Sequence, residues 1–315
     1  MVIRKATETD IPEILKVLKA SLGETSSRKT KDVWKFKHVN NPFGKSLVLI
    51  ALEGDAVIGV RAFMRWKWQR GEKVYSCFRA VDTATHPDHQ GKGIFKKLTL
   101  EAIKIAKVEG GNFIFNTPND QSLPGYLKMN WKEVGKLKVT ISPTSPFLWF
   151  KKVNIKYDII RLAGKEDLNN LCAGKNFNIS REGTEFFTPK TMEYLFWRYE
   201  NNPLQQYEVF SDNGLYLAGY IKIRNYSREL RISEIIVSDD AKLTKARKMV
   251  KAWANKFGAT VISAAEDHEL YSKLKFSGGY GPVMTVRKLN LSSNEDEETK
   301  ELNNYRYSLG DLELF

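Results

Sequence analysis

Cysteine and histidine are scarce in this sequence, which has two cysteines and four histidines among its 315 residues. Two cysteines cannot form the several disulfides of a small secreted scaffold, and Cys77 and Cys172 are too far apart to make a Cys-x-x-Cys pair for structural zinc. The composition therefore excludes a disulfide framework and a cysteine-based zinc site. A reducing cytosol is the expected compartment.

Long apolar runs are also missing. No segment approaches the roughly 18 apolar residues that a membrane span needs. Residues 1–14 contain no apolar stretch typical of a secretory signal. The sequence therefore predicts a cytoplasmic protein without a membrane span.

The charge balance is positive, with 50 Lys and Arg against 37 Asp and Glu and a net charge of +13. This surplus favours anionic ligands and leaves nucleic acid and a phosphate-rich cofactor open as alternatives. Apolar residues (42%) and charged residues (28%) are close to ordinary globular usage, which argues against disorder, collagen and coiled coil. The length favours two domains over one.

Hydrophobic periodicity predicts helices and strands throughout the first half. Helices are expected over Asp10–Leu22, over Arg28–Val39, from Ile94 onward and over Leu123–Met129. Strands are expected over Val2–Lys5, Ser46–Leu52, Ala56–Trp66, Lys73–Thr85, Asn112–Asn116 and Trp131–Ile141. The predicted fold class is α/β (α+β), with a mixed, mainly antiparallel sheet flanked by helices.

The second half repeats the first. Phe36–Pro42 (FKHVNNP) aligns with Trp197–Pro203 (WRYENNP), the glycines at 54 and 59 with those at 214 and 219, and Tyr126–Trp131 with Tyr271–Phe276. Three matches in one order indicate a duplication. The predicted domains are residues 1–145 and 146–290, followed by an acidic, solvated linker and tail over residues 291–315.

A glycine-containing turn follows the strand that ends at Thr85. In His86–Ile94 (HPDHQGKGI) the strand stops at a proline, two glycines follow, and an amphipathic helix begins. Glycines let backbone N–H groups turn toward a ligand, and a helix N-terminus adds partial positive charge. These features predict a diphosphate-binding loop, with the side chain of Lys92 beside it.

This turn resembles the phosphate loop of the GNAT superfamily of acyl-CoA N-acyltransferases, Q/R-x-x-G-x-G/A. Gln90 and Gly93 fill its positions, and Phe95 replaces the usual small residue. The opening residues 3–14 are similar to the family's first strand and helix, and residues 116–131 to the segment where a tyrosine follows the fifth strand. The likeness covers the first domain.

The second domain looks like a degenerate copy. Val237–Ala241 (VSDDA) occupies the loop position with no glycine and two carboxylates, which would repel a diphosphate. The resemblance therefore implies two tandem GNAT-like domains with a single acetyl-CoA site. Its implied contacts are Thr83, Ala84, Thr85, Gln90, Gly91, Lys92, Gly93, Ile94, Phe95 and Asn119. The pantetheine arm would lie along Thr83–Thr85 like an added strand.

The resemblance implies direct attack of a primary amine on the thioester. The amine, with a pKa of about 10, needs a proton acceptor, and the departing thiolate needs a proton. Tyr126 matches the family's tyrosine and is the predicted general acid, with simple packing against the sheet as the alternative. Asp82 is one candidate base. In some tandem members of the enhanced intracellular survival type the chain-terminal carboxylate reaches the active site, so the carboxylate of Phe315 is a second candidate, and a water relay is a third.

Two further patterns carry weaker signals. The stretch Arg65–Arg70 (RWKWQR) suits stacking on a sugar or nucleotide, although a half-buried edge strand is the favoured interpretation. His86 and His89 lack the further ligands that a metal needs, so no metal site is expected.

The predicted function is N-acetylation of a small-molecule amine, such as an amino sugar or a nucleotide-linked amino sugar. A non-catalytic acyl-CoA sensor is the alternative. A nucleic-acid-binding protein ranks lower because the sequence has no recognisable recognition motif.

Overall fold

A computed structural model describes residues 1–24, 28–225, 227–266 and 275–312, which form two mixed β-sheets with helices on their faces. This confirms the predicted fold class. The first half contributes β1 (Val2–Lys5), α1 (Ile11–Leu22), α2 (Lys31–His38), β2 (Leu47–Glu53), β3 (Ala56–Arg70), β4 (Lys73–Thr85), α3 (Ile94–Val108), β5 (Phe113–Asn116), α4 (Leu123–Leu127), β6 (Lys132–Lys136) and β7 (Val139–Pro143).

The described part of the second half follows the order of the first with small insertions, and the position that matches α4 lies outside the described residues. It contributes β8 (Ile159–Arg161), α5 (Lys165–Glu182), β9 (Phe186–Phe187), α6 (Met192–Leu195), β10 (Glu208–Asp212), β11 (Leu215–Arg224), β12 (Ser227–Val237), α7 (Asp240–Phe257), β13 (Val261–Ala265), β14 (Phe276–Gly278) and β15 (Val283–Lys288). The tail adds α8 (Ser293–Glu298), β16 (Tyr305–Arg306) and α9 (Leu309–Leu312).

The two sheets exchange one strand each. The first has the order β1-β2-β3-β4-β5-β15-β6, and the second, read from its β8 edge, has the order β8-β10-β11-β12-β13-β7-β14. The predicted single strand Trp131–Ile141 is therefore wrong, because the chain leaves the first sheet after Lys136 and enters the second at Val139. The predicted domain limits follow the repeat in the sequence. In the structure, β7 of the first repeat lies in the second sheet, and β15 of the second repeat lies in the first sheet.

The crossing point of the exchange is tightly packed. The Leu137 N–H donates to the Pro282 carbonyl at 3.0 Å, and the Gly281 N–H donates to the Leu137 carbonyl at 2.9 Å. A Cβ at Gly281 would lie 2.8 Å from that same carbonyl oxygen, so only glycine lets these two segments of the chain come this close. The crossing strands thus bond to each other where they change sheets.

Residues matched in the repeat adopt matched structures. The Asn41 side-chain oxygen accepts from the Phe43 N–H, and that of Asn202 accepts from the Leu204 N–H, both at 2.9 Å. The aligned Phe36 and Trp197 stack on each other with centroids 4.9 Å apart. The duplication read from the sequence is therefore visible in local turns and in the contact between the halves.

Strand β3 lies in the middle of the first sheet, hydrogen-bonded to β2 and β4. This holds for Ala56–Phe63, because β2 pairs no further along β3 than Phe63. Residues 65–70 pair with β4 on one side and, among the described residues, only through Gln69 with Phe187 of β9 on the other. The favoured interpretation of Arg65–Arg70 as a half-buried edge strand therefore agrees with the pairing of most of this stretch. Trp66 and Trp68 are buried in the core between the sheets, because they belong to an apolar alternation that continues from Ala62 and Met64. These indoles are not available to stack on a base or sugar.

Helix α3 packs closely on β3 at its first turn. A Cβ at Gly59 would lie 2.8 Å from Ile94 and 3.1 Å from Leu98, so glycine at this position brings the helix down onto the sheet. This contact fixes where α3 begins, next to the end of β4.

The acidic segment after β15 is not a solvated linker, contrary to the prediction. Ser292 caps α8 by accepting from the Glu295 N–H, and the Glu295 carboxylate binds Lys73 and accepts from the Tyr75 hydroxyl at 3.0 Å. The hydrogen bond from Lys73 lowers the pKa of Glu295 to about 2. These contacts with β4 hold the acidic segment against the first sheet. The composition of the segment alone does not show them.

Candidate functional site

Strands β4 and β5 separate from each other toward their C-terminal ends. Their parallel pairing runs from Cys77–Phe113 to Arg79–Phe115, whereas β4 continues to Thr85. From Ala80 to Thr85, β4 is paired with β3 on one side and, among the described residues, with no strand on the other. We call this opening the wedge. Thr117, directly after β5, has a buried hydroxyl without a hydrogen-bond partner in the described structure.

A β-bulge distorts β4 beside the wedge. The register with β3 shifts between Arg61, which faces Thr83, and Ala62, which faces Val81, so Asp82 is the extra residue. Asp82 has φ 39°, a left-handed conformation that is uncommon for a residue other than glycine. The bulge turns backbone groups of β4 out of the regular ladder at the mouth of the wedge.

The loop after β4 presents unused backbone donors. A short 3-10 turn over Pro87–His89 is followed by Gly91 and Gly93, whose φ values of 77° and 72° are left-handed. The backbone N–H groups of residues 91–96 make no hydrogen bond to another described residue, and those of Ile94–Lys96 belong to the first turn of α3. Together with the exposed Lys92, these amides form a surface of unused hydrogen-bond donors, which we call the glycine loop.

The large side chain of Phe95 is accommodated by helix α4. Its ring meets Tyr126 edge-on with centroids 5.7 Å apart, and a Cβ at Gly125 would lie 3.2 Å from it. A glycine on α4 thus makes room for the residue that departs from the family's loop pattern. The Phe95 side chain therefore packs against α4 and leaves the amides of the glycine loop free.

Tyr126 is buried between Phe95 and Trp131. Its hydroxyl oxygen accepts a hydrogen bond of 2.7 Å from Nη1 of Arg61. The ring packs as a core residue does, and the hydroxyl faces a cation. Its counterpart in the repeat, Tyr271, lies outside the described residues.

Asp82 is held by two basic residues of α2. It forms an ion pair with Lys37 and a hydrogen bond of 2.9 Å with Nε2 of His38. Burial alone would raise the pKa of Asp82, but the charge of Lys37 and the hydrogen bond from His38 outweigh it and hold the pKa far below its usual range. Burial lowers the pKa of His38, so the neutral ring donates from Nε2 and accepts from Ser46 at Nδ1, 2.9 Å away. A carboxylate stabilised in this way is a weak proton acceptor.

Removing Lys37 is expected to destabilise the protein. Lys37→Met should lower the free energy of unfolding by about 3 kcal/mol at neutral pH, because it removes the ion-pair partner of the largely buried Asp82 carboxylate. The double variant Lys37→Met/Asp82→Asn should recover most of this loss. Since the pKa of Asp82 is lowered by folding, its stabilisation is present above about pH 4 and is lost as the pH falls. Urea unfolding at neutral and acidic pH measures both effects. If Lys37→Met lost the same unfolding free energy at both pH values, the stabilising ion pair of Lys37 with Asp82 would be contradicted.

The described part of the C-terminal tail is docked at the closed end of the wedge. Arg79, the last β4 residue paired with β5, donates from Nη1 to the Asp311 carbonyl at 3.1 Å and from Nη2 to the Leu312 carbonyl at 2.5 Å. The Asp311 carboxylate accepts from Lys190 at 2.6 Å and from the Tyr194 hydroxyl at 2.7 Å. The tail is therefore docked up to Leu312, and Phe315 lies outside the described residues.

Comparison with known proteins agrees with this geometry. Residues 2–134 match the model of the acetyltransferase (GNAT) domain. The chain carries a GNAT acetyltransferase domain. The predicted GNAT family and the predicted acyltransferase class are thereby confirmed for the domain over residues 2–134. The comparison with curated proteins gives no match.

Solved structures share the fold over nearly the whole chain. A conserved protein of Enterococcus faecalis V583 superposes with a TM-score of 0.66 at 11% identity, covering 91% of this chain and 72% of that one. A GCN5-related N-acetyltransferase of Kribbella flavida gives 0.63 at 13%, covering 91% and 71%. Eis1 of Mycobacterium abscessus gives 0.56 at 12%, covering 95% and 75%. At these identities the likeness establishes the fold.

The second half of the chain builds a different helix start at the position that corresponds to the glycine loop. Asp239 caps α7 by accepting from the Lys242 N–H at 2.9 Å, and Ser238 donates to the same carboxylate at 2.7 Å. A carboxylate of the chain itself thus occupies the place where the glycine loop leaves its amides free. This favours a single diphosphate site, in the GNAT domain.

The structure places the predicted cofactor contacts in two groups. Thr83–Thr85 lie on the open edge of β4, and Gln90–Phe95 lie at the glycine loop. The side-chain amide of Gln90 ties this segment to β4 by donating to the Thr85 carbonyl at 3.3 Å. Asn119 lies apart from both, in the turn before α4, where its side chain accepts from the Ser122 N–H at 2.9 Å. Their roles in binding stay predictions.

Sequence reasoning missed Arg61, Lys37 and His38. A signal existed for Arg61, since it is the one charged residue in the apolar run Ala56–Met64. Among the described residues, no group of three or more potential metal ligands occurs, and no helix is long and apolar enough to cross a membrane.

Proposed function

We propose that this GNAT protein transfers the acetyl group of acetyl-CoA to a primary amine of a small molecule by direct attack. The observation that carries the proposal is the wedge between β4 and β5, which is adjacent to the unused amides of the glycine loop. The amides of residues 91–96 and the charge of Lys92 hold the diphosphate. The open edge of Ala80–Thr85 binds the pantetheine arm as an added strand. Acetyl-CoA supplies the activated thioester.

Tyr126 is the proposed proton donor to the departing sulfur. Its oxygen accepts from Arg61, so its own proton is left for another acceptor. The acceptor amine is proposed to approach from the α2 face, where Lys37, His38 and Asp82 lie beside the bulge. Amino sugars and nucleotide-linked amino sugars are the proposed acceptor class.

The carboxylate of Phe315 is the favoured base in this proposal. The docking of Asp311 and Leu312 on Arg79 brings the tail to the closed end of the wedge. The other candidate carboxylate, that of Asp82, is engaged by Lys37 and His38. A water relay would need neither group.

Removal of residues 313–315 tests the tail. We expect kcat for amine acetylation to fall by about 100-fold or more, as is typical when a general base is lost. The affinity for acetyl-CoA and the melting temperature should stay unchanged, because the docked residues remain. A matched variant that extends the chain by two glycines should show the same loss, since it moves the terminal carboxylate away. Full activity in both variants would exclude the terminal carboxylate and leave Asp82 and the water relay as candidates.

Titration calorimetry with acetyl-CoA, combined with a thiol-release screen over amino sugars and other primary amines, tests the function. Micromolar binding and CoA release with at least one amine are expected. Binding without release for any acceptor would indicate an acyl-CoA sensor. Salt-sensitive DNA binding without affinity for acetyl-CoA would overturn the proposal.

A further inference from the structure

A buried guanidinium lies beside Tyr126. Arg61 is 0% exposed and is the β3 residue opposite Thr83, next to the bulge. It forms no ion pair with a described residue. Three aromatic rings surround its charge, with centroids 4.7 Å (Phe63), 5.2 Å (Tyr126) and 5.7 Å (Phe95) away. Aromatic faces stabilise a cation only in part, so this charge lacks full compensation.

Hydrogen-bond donors outnumber acceptors at this point. Nη1 of Arg61 donates to the Tyr126 oxygen at 2.7 Å, whereas Nε and Nη2 have no hydrogen-bond partner among the described residues. The Tyr126 hydroxyl has one proton, and no described residue accepts it. The unused N–H groups of Arg61 and the unused O–H group of Tyr126 therefore lie together in one buried place. Such a group of donors can stabilise negative charge on a bound ligand.

Because the buried charge of Arg61 lowers the stability of the fold, its presence points to a functional role. A buried charge without a partner destabilises a fold, and an apolar residue of similar size at position 61 would avoid that penalty. Preorganised donors in a buried site are most effective where charge develops during a reaction. In the proposed acetyl transfer, negative charge develops on the sulfur as it leaves.

We propose that Arg61 is a positioning residue that orients Tyr126 as a proton donor and stabilises the negative charge of the departing sulfur. This inference rests on the proposed function. The amine lone pair forms the C–N bond, the C–S bond breaks with its electron pair going to sulfur, and Tyr126 gives its proton to that sulfur. The phenolate that remains lies beside Arg61 and is reprotonated by the proton that the amine loses through the base.

The variants Arg61→Met and Arg61→Lys separate this role from packing. Arg61→Met is expected to lower kcat by about 100-fold, comparable to the loss of a preorganised donor. Its KM for acetyl-CoA should change less than about 2-fold and its melting temperature should stay equal or rise, because an uncompensated buried charge is removed. Arg61→Lys, which keeps the charge, should recover part of kcat. Unchanged kcat in Arg61→Met, or a loss of kcat that parallels a lower melting temperature, would overturn the proposal.

Binding of the product gives a readout that does not depend on turnover. A free thiol has a pKa of about 8.5, so CoA gains thiolate between about pH 7 and pH 9, whereas desulfo-CoA cannot. The wild-type protein is expected to prefer CoA over desulfo-CoA increasingly as the pH rises, and Arg61→Met should lose this trend. A trend that persists in Arg61→Met would contradict the role of Arg61. Failure of both ligands to bind the wild-type protein would instead contradict the proposed function.

Discussion

Replacing Gly93 by glutamate is expected to weaken acetyl-CoA binding by at least about 100-fold, beyond the range of a calorimetric titration. A carboxylate at the start of α3 would lie where the amides of the glycine loop are free. A like charge about 4 Å from a diphosphate costs several kcal/mol at a protein surface, and each 1.4 kcal/mol weakens binding about tenfold. No atom lies within 4 Å of a Cβ at Gly93, so the effect does not come from a packing clash.

Two matched variants separate charge from backbone strain. Gly93→Ala has the same left-handed φ of 72° without the carboxylate and should keep most of the affinity. Gly110→Glu places the same charge after the opposite end of α3, at φ 77° and with nothing within 4 Å, and should bind acetyl-CoA normally. Retained affinity in Gly93→Glu would show that the diphosphate does not use this loop.

Tyr126→Phe is expected to lower kcat by about 10²- to 10⁴-fold, the range observed when a general acid is removed. The KM for acetyl-CoA should stay close to that of the wild type, because the hydroxyl acts on the leaving sulfur and the ring keeps its contacts with Phe95 and Trp131. Steady-state kinetics with the best amine of the screen measures both parameters.

Tyr157→Phe is the matched control for this substitution. The Tyr157 hydroxyl also accepts a hydrogen bond, from the Ile221 N–H at 3.1 Å, but it lies in the second half, away from the wedge. This variant should lose some stability and keep its turnover. If Tyr126→Phe behaved in the same way, Tyr126 would be a packing residue, and the inference about Arg61 would fail with it.

The local elements could be predicted from the sequence because short-range rules determine them. Lys73–Thr85 was predicted with the bounds that the structure shows, since Gly71 and Pro87 flank an extended run. The helix that starts at Ile94 follows from the apolar spacing of Ile94, Leu98 and Ala102.

The exchange of strands could not be predicted in the same way. The alternation in Val139–Pro143 shows that one face is buried, but it does not show which sheet supplies the neighbouring strand. The partner depends on the crossing of Leu137 and Gly281, which are distant in the sequence.

The candidate site was predicted only where a motif fixes it. The glycine loop was located because glycines, a preceding strand and a following helix have a recognisable spacing. Arg61, Lys37 and His38 act through contacts with Tyr126 and Asp82 that link separate elements. Contacts of this kind appear only when the chain is folded.

A crystal structure of the protein grown with acetyl-CoA tests the central claim most directly. The expected result is a diphosphate hydrogen-bonded to backbone amides of residues 91–96, with the pantetheine arm along Ala80–Thr85. Density for the carrier elsewhere on the protein, with the glycine loop unchanged and empty, would contradict the account.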